Sequence, residues 1–209
     1  MDGKVTGVAR IVAIEHLTLD GVYQAPARAD EDIRNGFEHG GWGNPGSDPK
    51  MQEVIGSYMV GGWSLLAGRM TYEDLYEGWA VRRPDSPMTR ALTDARKFVV
   101  SRDTGYALAW ENSTLLAGEV QVRELKQNHD KTLVMFGSGN LLRTLMRRGL
   151  VDELTLMIHP LVLGEGLRLF ETGQPPSRLK LSSHVATETG VAILSYSFGM
   201  KAAGELRPE

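Results

Sequence analysis

Short apolar runs, separated by glycine-rich and charged segments, predict the order of strands and helices along the chain. Short apolar runs predict strands at residues 65–67, 98–100, 114–116, 133–136 and 153–159, and the run at 8–14, rich in β-branched residues, predicts the first strand. Apolar positions at helical spacing predict helices at residues 50–63, 88–95, 120–128 and 141–148, and another through Tyr72 with Thr71 as its cap. Strands that alternate with helices are typical of an α/β protein with a largely parallel sheet.

The last part of the chain has a different pattern. Residues 178–187 and 191–198 are β-rich and partly alternating, and Glu188-Thr189-Gly190 lies between them. This pattern predicts a C-terminal antiparallel hairpin. We expect residues 202–209 to form a frayed tail.

Residues 25–49 form the least regular segment, rich in Gly, Pro, Asn and Asp. A loop of this length inside a compact domain is usually functional or mobile. We therefore predict that it shapes a ligand pocket.

Polar and glycine residues follow the ends of several predicted strands, as Gly68-Arg69, Ser101-Arg102 and Gly137-Ser138-Gly139. Ligands of open α/β sheets bind beyond the carboxyl ends of the strands. A glycine turn before a helix offers free N–H groups and the positive end of the helix dipole to anionic oxygens. Arginine binds phosphate through paired hydrogen bonds, and an arginine near the ribose accommodates the phosphate that distinguishes NADP from NAD. A tight connection or a surface arginine explains each segment alone, but the set predicts a dinucleotide site.

A series of motifs extends these segments along most of the chain. Its members are Leu19-Asp20-Gly21-Val22, Gly68-Arg69-Met70-Thr71-Tyr72, Val99-Val100-Ser101-Arg102, Gly137-Ser138-Gly139-Asn140-Leu141, Leu150-Val151-Asp152-Glu153-Leu154 and His159-Pro160-Leu161-Val162-Leu163-Gly164. With this series the chain resembles the dihydrofolate-reductase-like superfamily. It is most similar to the branch with the C-terminal reductase domain of the riboflavin-pathway deaminase-reductase (RibD) and its stand-alone bacterial relatives. The resemblance covers residues 8–198.

The resemblance implies one dihydrofolate-reductase-like domain over residues 1–209, a three-layer α/β/α fold with a central mixed, mostly parallel sheet and a C-terminal antiparallel hairpin. It implies NADPH bound across the strand ends, and the family often forms twofold dimers. The positions expected to bind the cofactor are Gly21, Gly68, Arg69, Met70, Thr71, Ser101, Arg102, Phe136, Gly137, Ser138, Gly139, Asn140 and Leu141.

The resemblance places the Leu-Asp-Gly segment beside the nicotinamide and the substrate. Asp20 is then the candidate catalytic residue, able to orient the substrate or relay a proton, although Asp-Gly is also a common turn pair. Glu38, His39 and Trp42 are candidate substrate-binding residues. The alternatives are solvated loop residues for Glu38 and His39, and a core position for Trp42.

Two departures from the riboflavin-pathway pattern bear on the substrate. Those reductases usually carry a lysine five residues before the Asp-Gly pair, where this chain has Glu15, and Glu-Gly-Gly where it has Phe136-Gly137-Ser138-Gly139. An anionic Glu15 would repel a substrate phosphate, which weakens the case for a phosphoribosylamino-uracil. Dihydrofolate reductases direct one helix carboxylate at the pterin, and here several compete for that role: Asp30, Glu31, Asp32, Asp48 and Glu53.

Composition excludes several other classes of function. The net charge of −3 and pI near 6.0 give no electrostatic case for nucleic acid or an anionic membrane. The absence of cysteine rules out disulfides and a zinc-deaminase site, and the histidines lack metal-ligand spacing. Gly137-Ser138-Gly139 is not a hydrolase elbow. Without a long apolar segment, we expect a cytoplasmic protein.

Together these patterns predict an NADPH-dependent oxidoreductase that transfers a hydride to a small heterocycle of the pterin or aminopyrimidine type. An ordinary Rossmann enzyme is disfavoured because no Gly-x-Gly-x-x-Gly follows the first strand. The alternative is a non-catalytic nucleotide- or ligand-binding protein that kept the fold. We expect no metal, no nucleic acid and no membrane partner, and regard a homodimer as a further expectation.

Overall fold

A mixed sheet of eight strands is the main element of the computed structural model, which describes residues 7–173 and 176–198. The strand order is β4-β3-β2-β5-β1-β6-β8-β7. The strands are Ile11–Thr18 (β1), Trp63–Gly68 (β2), Arg96–Val100 (β3), Ser113–Leu116 (β4), Thr132–Phe136 (β5), Glu153–His159 (β6), Leu179–Ala186 (β7) and Ala192–Phe198 (β8).

Helices lie between the strands, as the alternating pattern predicted. They are Pro49–Ser57 (α1), Arg69–Leu75 (α2), Pro87–Asp94 (α3), Glu119–Gln127 (α4) and Gly139–Arg147 (α5). A π-helical segment, Tyr76–Val81, continues from α2, and short 3-10 turns occur at Arg34–Gly36 and Asn44–Gly46. The predicted α/β fold class, with a mixed and mostly parallel sheet, is confirmed. Within the described ranges, none of these helices has the length and apolarity to cross a bilayer.

Some predicted boundaries are wrong, and each has a local cause. β1 runs through Glu15 and His16 to Thr18, because these polar side chains are largely covered. α1 ends at Ser57 rather than at residue 63, since Gly61 and Gly62 adopt the left-handed φ values of 79° and 101°. Thr71 does not cap α2, which begins at Arg69 after Gly68 and has no side-chain cap.

The chain divides into two compact units, and its assignment as one domain stays a prediction. The first unit comprises Met1–Ala13 and Ile55–Val151. In it, β2 pairs in parallel with both β3 and β5, and β3 pairs in parallel with β4. Its helices cover a cluster of buried side chains, Leu65, Ala67, Tyr72, Leu92, Val99 and Trp110.

The second unit comprises Ile14–Val54 and Asp152–Glu209. In it, β8 pairs antiparallel with β6 and β7, so the predicted C-terminal hairpin is confirmed. The predicted tail, residues 202–209, lies outside the described residues. The long segment 25–49 forms an apolar cluster together with Val22; its members are Val22, Ala25, Phe37 and Trp42, and Leu161 and Leu163 pack against it.

Candidate functional site

The strand ends selected from the sequence lie beside one another in the first unit. Because β3, β2 and β5 are parallel neighbours, their carboxyl ends meet at one edge of the sheet. Gly68 is in register with Val100, which directly precedes Ser101-Arg102. This edge therefore brings together Gly68-Arg69, Ser101-Arg102 and the turn Gly137–Asn140; we call it the strand-end edge.

The glycine turn of this edge has an unusual backbone. Gly137 and Ser138 both adopt left-handed φ values, 61° and 63°, and Ser138 precedes the first residue of α5. The Ser138 hydroxyl oxygen accepts a hydrogen bond from the Gly68 N–H at 3.0 Å, which joins the turn to the end of β2. The first N–H groups of a helix have no carbonyl partner within that helix. The turn thus presents the N–H groups that open α5 beside the Gly68-Arg69 strand end.

Both arginines of the strand-end edge are exposed. The Arg69 guanidinium lies 5.6 Å from the centre of the Tyr106 ring. In residues 7–173 and 176–198, neither Arg69 nor Arg102 forms an ion pair. Ser101 is buried, and its hydroxyl oxygen accepts from the Asp103 N–H at 3.0 Å, which fixes the turn that carries Arg102. Both guanidinium groups are thus able to bind an anion without breaking an existing pair.

The other predicted cofactor residues of the first unit surround this edge. Met70 is 39% exposed, and Asn140 is exposed and accepts a hydrogen bond from Arg143. Phe136 packs edge-on against Trp63 with ring centres 6.0 Å apart. Gly139 is buried, whereas Thr71 and Leu141 are half-buried. Gly21, in contrast, belongs to the second unit.

In the second unit, Asp20 is surrounded by hydrogen-bond donors. Its carboxylate accepts from the Thr18 hydroxyl at 2.6 Å and from the Leu163 and Gly164 N–H groups at 3.2 and 2.9 Å. Arg168 donates to the carboxylate at 3.1 Å and to the backbone oxygen of Asp20 at 2.9 Å. Asp20 therefore clamps the 163–168 turn against the segment that follows β1.

These contacts decide the ionisation of Asp20. The Thr18 hydrogen bond, reinforced by Gly164, Leu163 and Arg168, holds the pKa of the Asp20 carboxyl well below its usual range. A carboxylate held ionised by so many donors is a poor proton donor. The contacts favour a structural role, and catalysis by Asp20 stays a prediction.

Trp42 is a core residue of the second unit. It is 9% exposed, and its indole N–H donates to the backbone oxygen of Gln24 at 2.7 Å. Gln24 is buried as well: its amide donates to Asp32 and Arg34 and accepts from the Leu167 N–H. Gln24 could not be predicted, because a single glutamine in an irregular segment forms no pattern.

Glu38 and His39, the other predicted substrate residues, are exposed. His39 lies 3.0 Å from the Glu165 carboxylate and packs edge-on to Phe37. Their contact with a substrate stays a prediction.

Most of the carboxylates that were candidates for a pterin-binding acid already form hydrogen bonds or ion pairs within the protein. Asp48 accepts from the Lys50 N–H at the start of α1 and from the Glu188 N–H. Glu31 accepts from the Ala27 and Arg28 N–H groups at 2.8 and 3.1 Å. Asp30 pairs with Arg28 and Asp32 with Arg34, whereas Glu53 is exposed.

A histidine pair joins β1 to β6 and was not predicted as a pair. His16 Nδ1 and His159 Nε2 share a hydrogen bond of 2.9 Å, and Trp42 packs edge-on to His159. Burial and the neighbouring ring lower the pKa of His16 to about 4, and burial lowers that of His159. Both rings are therefore neutral near pH 7. The hydrogen bond to His16 and the edge-on contact with Trp42 favour a structural role for His159.

Glu15 is a buried residue. It is 1% exposed, and burial together with the charge of Glu31 raises the pKa of its carboxyl well above the ordinary 4.5. Burial therefore favours the neutral acid more than an exposed position would, and the effect of Glu15 on a substrate phosphate stays a prediction. As for metals, the described part of the chain contains no group of three or more His, Asp or Glu side chains arranged to hold an ion.

Comparison with known proteins identifies the family of this chain. The sequence model of the RibD C-terminal domain matches residues 10–193. The chain belongs to the RibD C-terminal domain family. A relative, the uncharacterized protein YyaP of Bacillus subtilis, is 30% identical over 140 residues, which cover 64% of this chain and 72% of YyaP.

Solved structures share the fold at low sequence identity. A putative riboflavin biosynthesis protein from Shewanella has a TM-score of 0.58 at 16% identity, covering 90% of this chain and 98% of its own. Dihydrofolate reductase from Enterococcus faecalis, complexed with NADP(H), has a TM-score of 0.59 at 14% identity, covering 93% and 99%. A pyrimidine reductase-like protein from Corynebacterium diphtheriae has a TM-score of 0.63 at 12% identity, covering 92% and 93%. Family and fold together support an oxidoreductase.

Proposed function

We propose that this protein is an NADPH-dependent reductase that transfers a hydride to a small heterocycle of the pterin or aminopyrimidine type. The observation that carries the proposal is the strand-end edge of the first unit. There, two exposed guanidinium groups, which form no ion pair within residues 7–173 and 176–198, accompany a Gly-Ser-Gly turn that opens a helix. This combination suits a dinucleotide with an additional phosphate on its ribose.

The residues present fit NADPH. Arg69 and Arg102 would hold the ribose phosphate, with Ser101 at the same strand end, and the turn Gly137–Asn140 would hold the pyrophosphate. When bound, NADPH supplies the hydride. The protein's own part is to place the two reactants in contact and to exclude water.

The test is a calorimetric titration of the purified protein with NADPH and NADH. We expect NADPH to bind more tightly than NADH. Arg69→Ala and Arg102→Ala should each weaken NADPH binding by about 1–3 kcal/mol, because a charge-assisted hydrogen bond is lost. Arg123→Ala is the matched control: it removes one exposed arginine from α4 and should leave the affinity unchanged.

Equal affinities for NADPH and NADH, or no effect of either arginine variant, would refute the phosphate assignment. Selective NADPH binding without oxidation of the cofactor by any pterin or aminopyrimidine would favour the non-catalytic alternative. A homodimer is a separate proposal, tested by sedimentation equilibrium of the same protein.

A further inference from the structure

Tyr106 contacts Arg69 at the strand-end edge, and both residues belong to the first unit. The Arg69 guanidinium lies 5.6 Å from the centre of the Tyr106 ring. A guanidinium within about 6 Å of the centre of an aromatic ring is attracted to the negative face of that ring. The ring therefore restricts the directions in which the exposed Arg69 side chain extends.

The position of Tyr106 is fixed by the turn that precedes it and by the core beneath it. Asp103 accepts from the Gly105 N–H at 3.0 Å through its carboxylate and from the Tyr106 N–H at 3.4 Å through its carbonyl. The Tyr106 ring is half-buried, and it meets the buried Tyr72 ring edge-on with the ring centres 6.5 Å apart. Since the ring is held by these contacts, it orients Arg69 rather than following it.

Glu73 is an acidic residue of α2 that is placed to compete for Arg69. It follows Arg69 by four residues, and this spacing on a helix brings an arginine and a glutamate close enough to pair. Within the described part of the chain, neither of them forms an ion pair. Instead, the Glu73 carboxylate accepts a hydrogen bond from the Tyr106 hydroxyl.

This hydrogen bond persists through the neutral pH range. Burial, and after it the contact with the Glu73 carboxylate, raises the pKa of the Tyr106 hydroxyl to about 12. The hydroxyl therefore keeps its proton and remains a donor to Glu73.

The two contacts of Tyr106 have one consequence for Arg69. A ring contact neutralises no charge, so the guanidinium keeps its full charge and its paired N–H donors for a phosphate. A carboxylate bound to Arg69 would occupy these same donors and would repel an incoming phosphate. Tyr106 thus orients the cation with its ring and holds the competing anion with its hydroxyl.

We propose that Tyr106 is a positioning residue that sets the preference of this protein for NADPH over NADH, through the orientation of Arg69 and the engagement of Glu73. This inference rests on the proposed function, in which Arg69 binds the phosphate on the cofactor ribose. Tyr106 acts on that phosphate only through Arg69, and it has no part in the hydride transfer.

The first test is a calorimetric titration of Tyr106→Leu with NADPH and with NADH. This variant loses the ring and the hydroxyl but keeps an apolar side chain on the core. We expect NADPH to bind about threefold to tenfold more weakly, because the cation–ring contact is lost and Glu73 is released. NADH, which lacks the additional phosphate, should bind as to wild type. An equal loss for both cofactors would show a merely structural role and overturn the inference.

Tyr58→Leu is the matched control. It makes the same change in the segment between α1 and β2, before the amino-terminal end of β2, and it should leave both affinities unchanged. A loss of NADPH preference in this control as well would overturn the assignment to Tyr106.

A second pair of variants separates the hydroxyl from the ring. Tyr106→Phe keeps the ring but releases Glu73, and it should bind NADPH about twofold to threefold more weakly. Glu73→Gln added to Tyr106→Phe removes the competing charge and should restore the wild-type affinity. If the double variant binds NADPH as weakly as Tyr106→Phe does, the competition assigned to Glu73 is wrong.

The contact between Arg69 and Tyr106 is testable without any ligand. In isotope-labelled protein, the Nε–H resonance of Arg69 is identified by its loss in Arg69→Ala. The ring current of Tyr106 should shift this resonance, so it should move in Tyr106→Leu and stay in place in Tyr106→Phe. A resonance that does not move in Tyr106→Leu would overturn the orientation of Arg69 by the ring.

The remaining outcomes separate this inference from the proposed function. If wild type prefers NADPH and Tyr106→Leu keeps the same preference, the inference is wrong while the phosphate assignment stands. If wild type shows no preference, the phosphate assignment fails and the inference fails with it, whatever the resonance of Arg69 shows. Circular dichroism shows whether each variant has folded, and if Tyr106→Leu has not, Tyr106→Phe and the double variant decide.

Discussion

The strand-end edge of the first unit and the segment 25–49 of the second unit are both irregular backbone, yet they differ in how their polar groups are used. At the strand-end edge, Arg69 and Arg102 are exposed and form no ion pair among the described residues. In the second unit, Gln24 and Trp42 are buried and bonded to backbone groups. Exposed charge beside a turn that opens a helix is available to an anionic ligand, whereas saturated buried contacts indicate structure.

Substitution of Trp42 should have the largest effect on stability. Trp42→Ala removes a buried ring that packs on His159 and donates to Gln24, and we expect the free energy of unfolding to fall by about 3–5 kcal/mol. Arg69→Ala is the comparison, with an expected change within about 0.5 kcal/mol. Urea denaturation measures both, and a small loss for Trp42→Ala would instead favour a ring that serves a ligand.

Two glycines, Gly46 of the second unit and Gly56 of α1, differ in how closely other atoms pack against them. A Cβ at Gly46 would lie 2.5 Å from His159 Nδ1 and 2.8 Å from Val191 Cγ2, so Gly46→Ala should cost about 1–3 kcal/mol. Gly56, inside α1, has no atom within 4 Å of its added Cβ, so Gly56→Ala should stabilise by about 0.5–1 kcal/mol. Thermal unfolding of the two variants gives the signs directly. Equal signs would contradict the close packing of Gly46.

A further prediction concerns pH. His16 has a pKa of about 4 when folded and 6.5 ordinarily, so its contribution to stability is present above 6.5 and lost as pH falls towards 4. His16→Asn keeps a group able to bond with His159 but does not titrate there. The wild-type free energy of unfolding should therefore fall more steeply between pH 6.5 and 4 than that of the variant. Parallel curves would show that the histidine pair does not control this range.

The two regions also differ in how far they could be predicted. Local sequence marks a strand followed by Gly-Ser-Gly or Ser-Arg, because parallel strands place their carboxyl ends at one edge whatever the loops do. The contacts of Asp20 and Trp42 join residues that are far apart in the chain, such as Asp20 with Gly164. No local pattern encodes such pairs, so the hydrogen bonds around Asp20 and the buried position of Gln24 could not be predicted.

Glu15 shows the same limit at a single residue. Residue type alone predicted that Glu15 is an anion, since an exposed glutamate is ionised near neutral pH. Only burial within the folded chain, together with the charge of Glu31, raises the pKa of Glu15 well above its ordinary value. Ionisation depends on surroundings that residue type does not contain.

The sequence by itself determined the order of strands and helices, the C-terminal hairpin and the family, and it predicted phosphate binding at the strand ends. These follow from hydrophobic periodicity and from short motifs, which act over a few neighbouring residues. The tertiary structure alone decided that the Asp20 carboxylate is surrounded by hydrogen-bond donors and that Trp42 is a core residue. It alone also decided that His16 and His159 form a neutral pair and that Glu15 is a buried acid. Each of these depends on dielectric environment and long-range contact, which arise only when distant segments pack together.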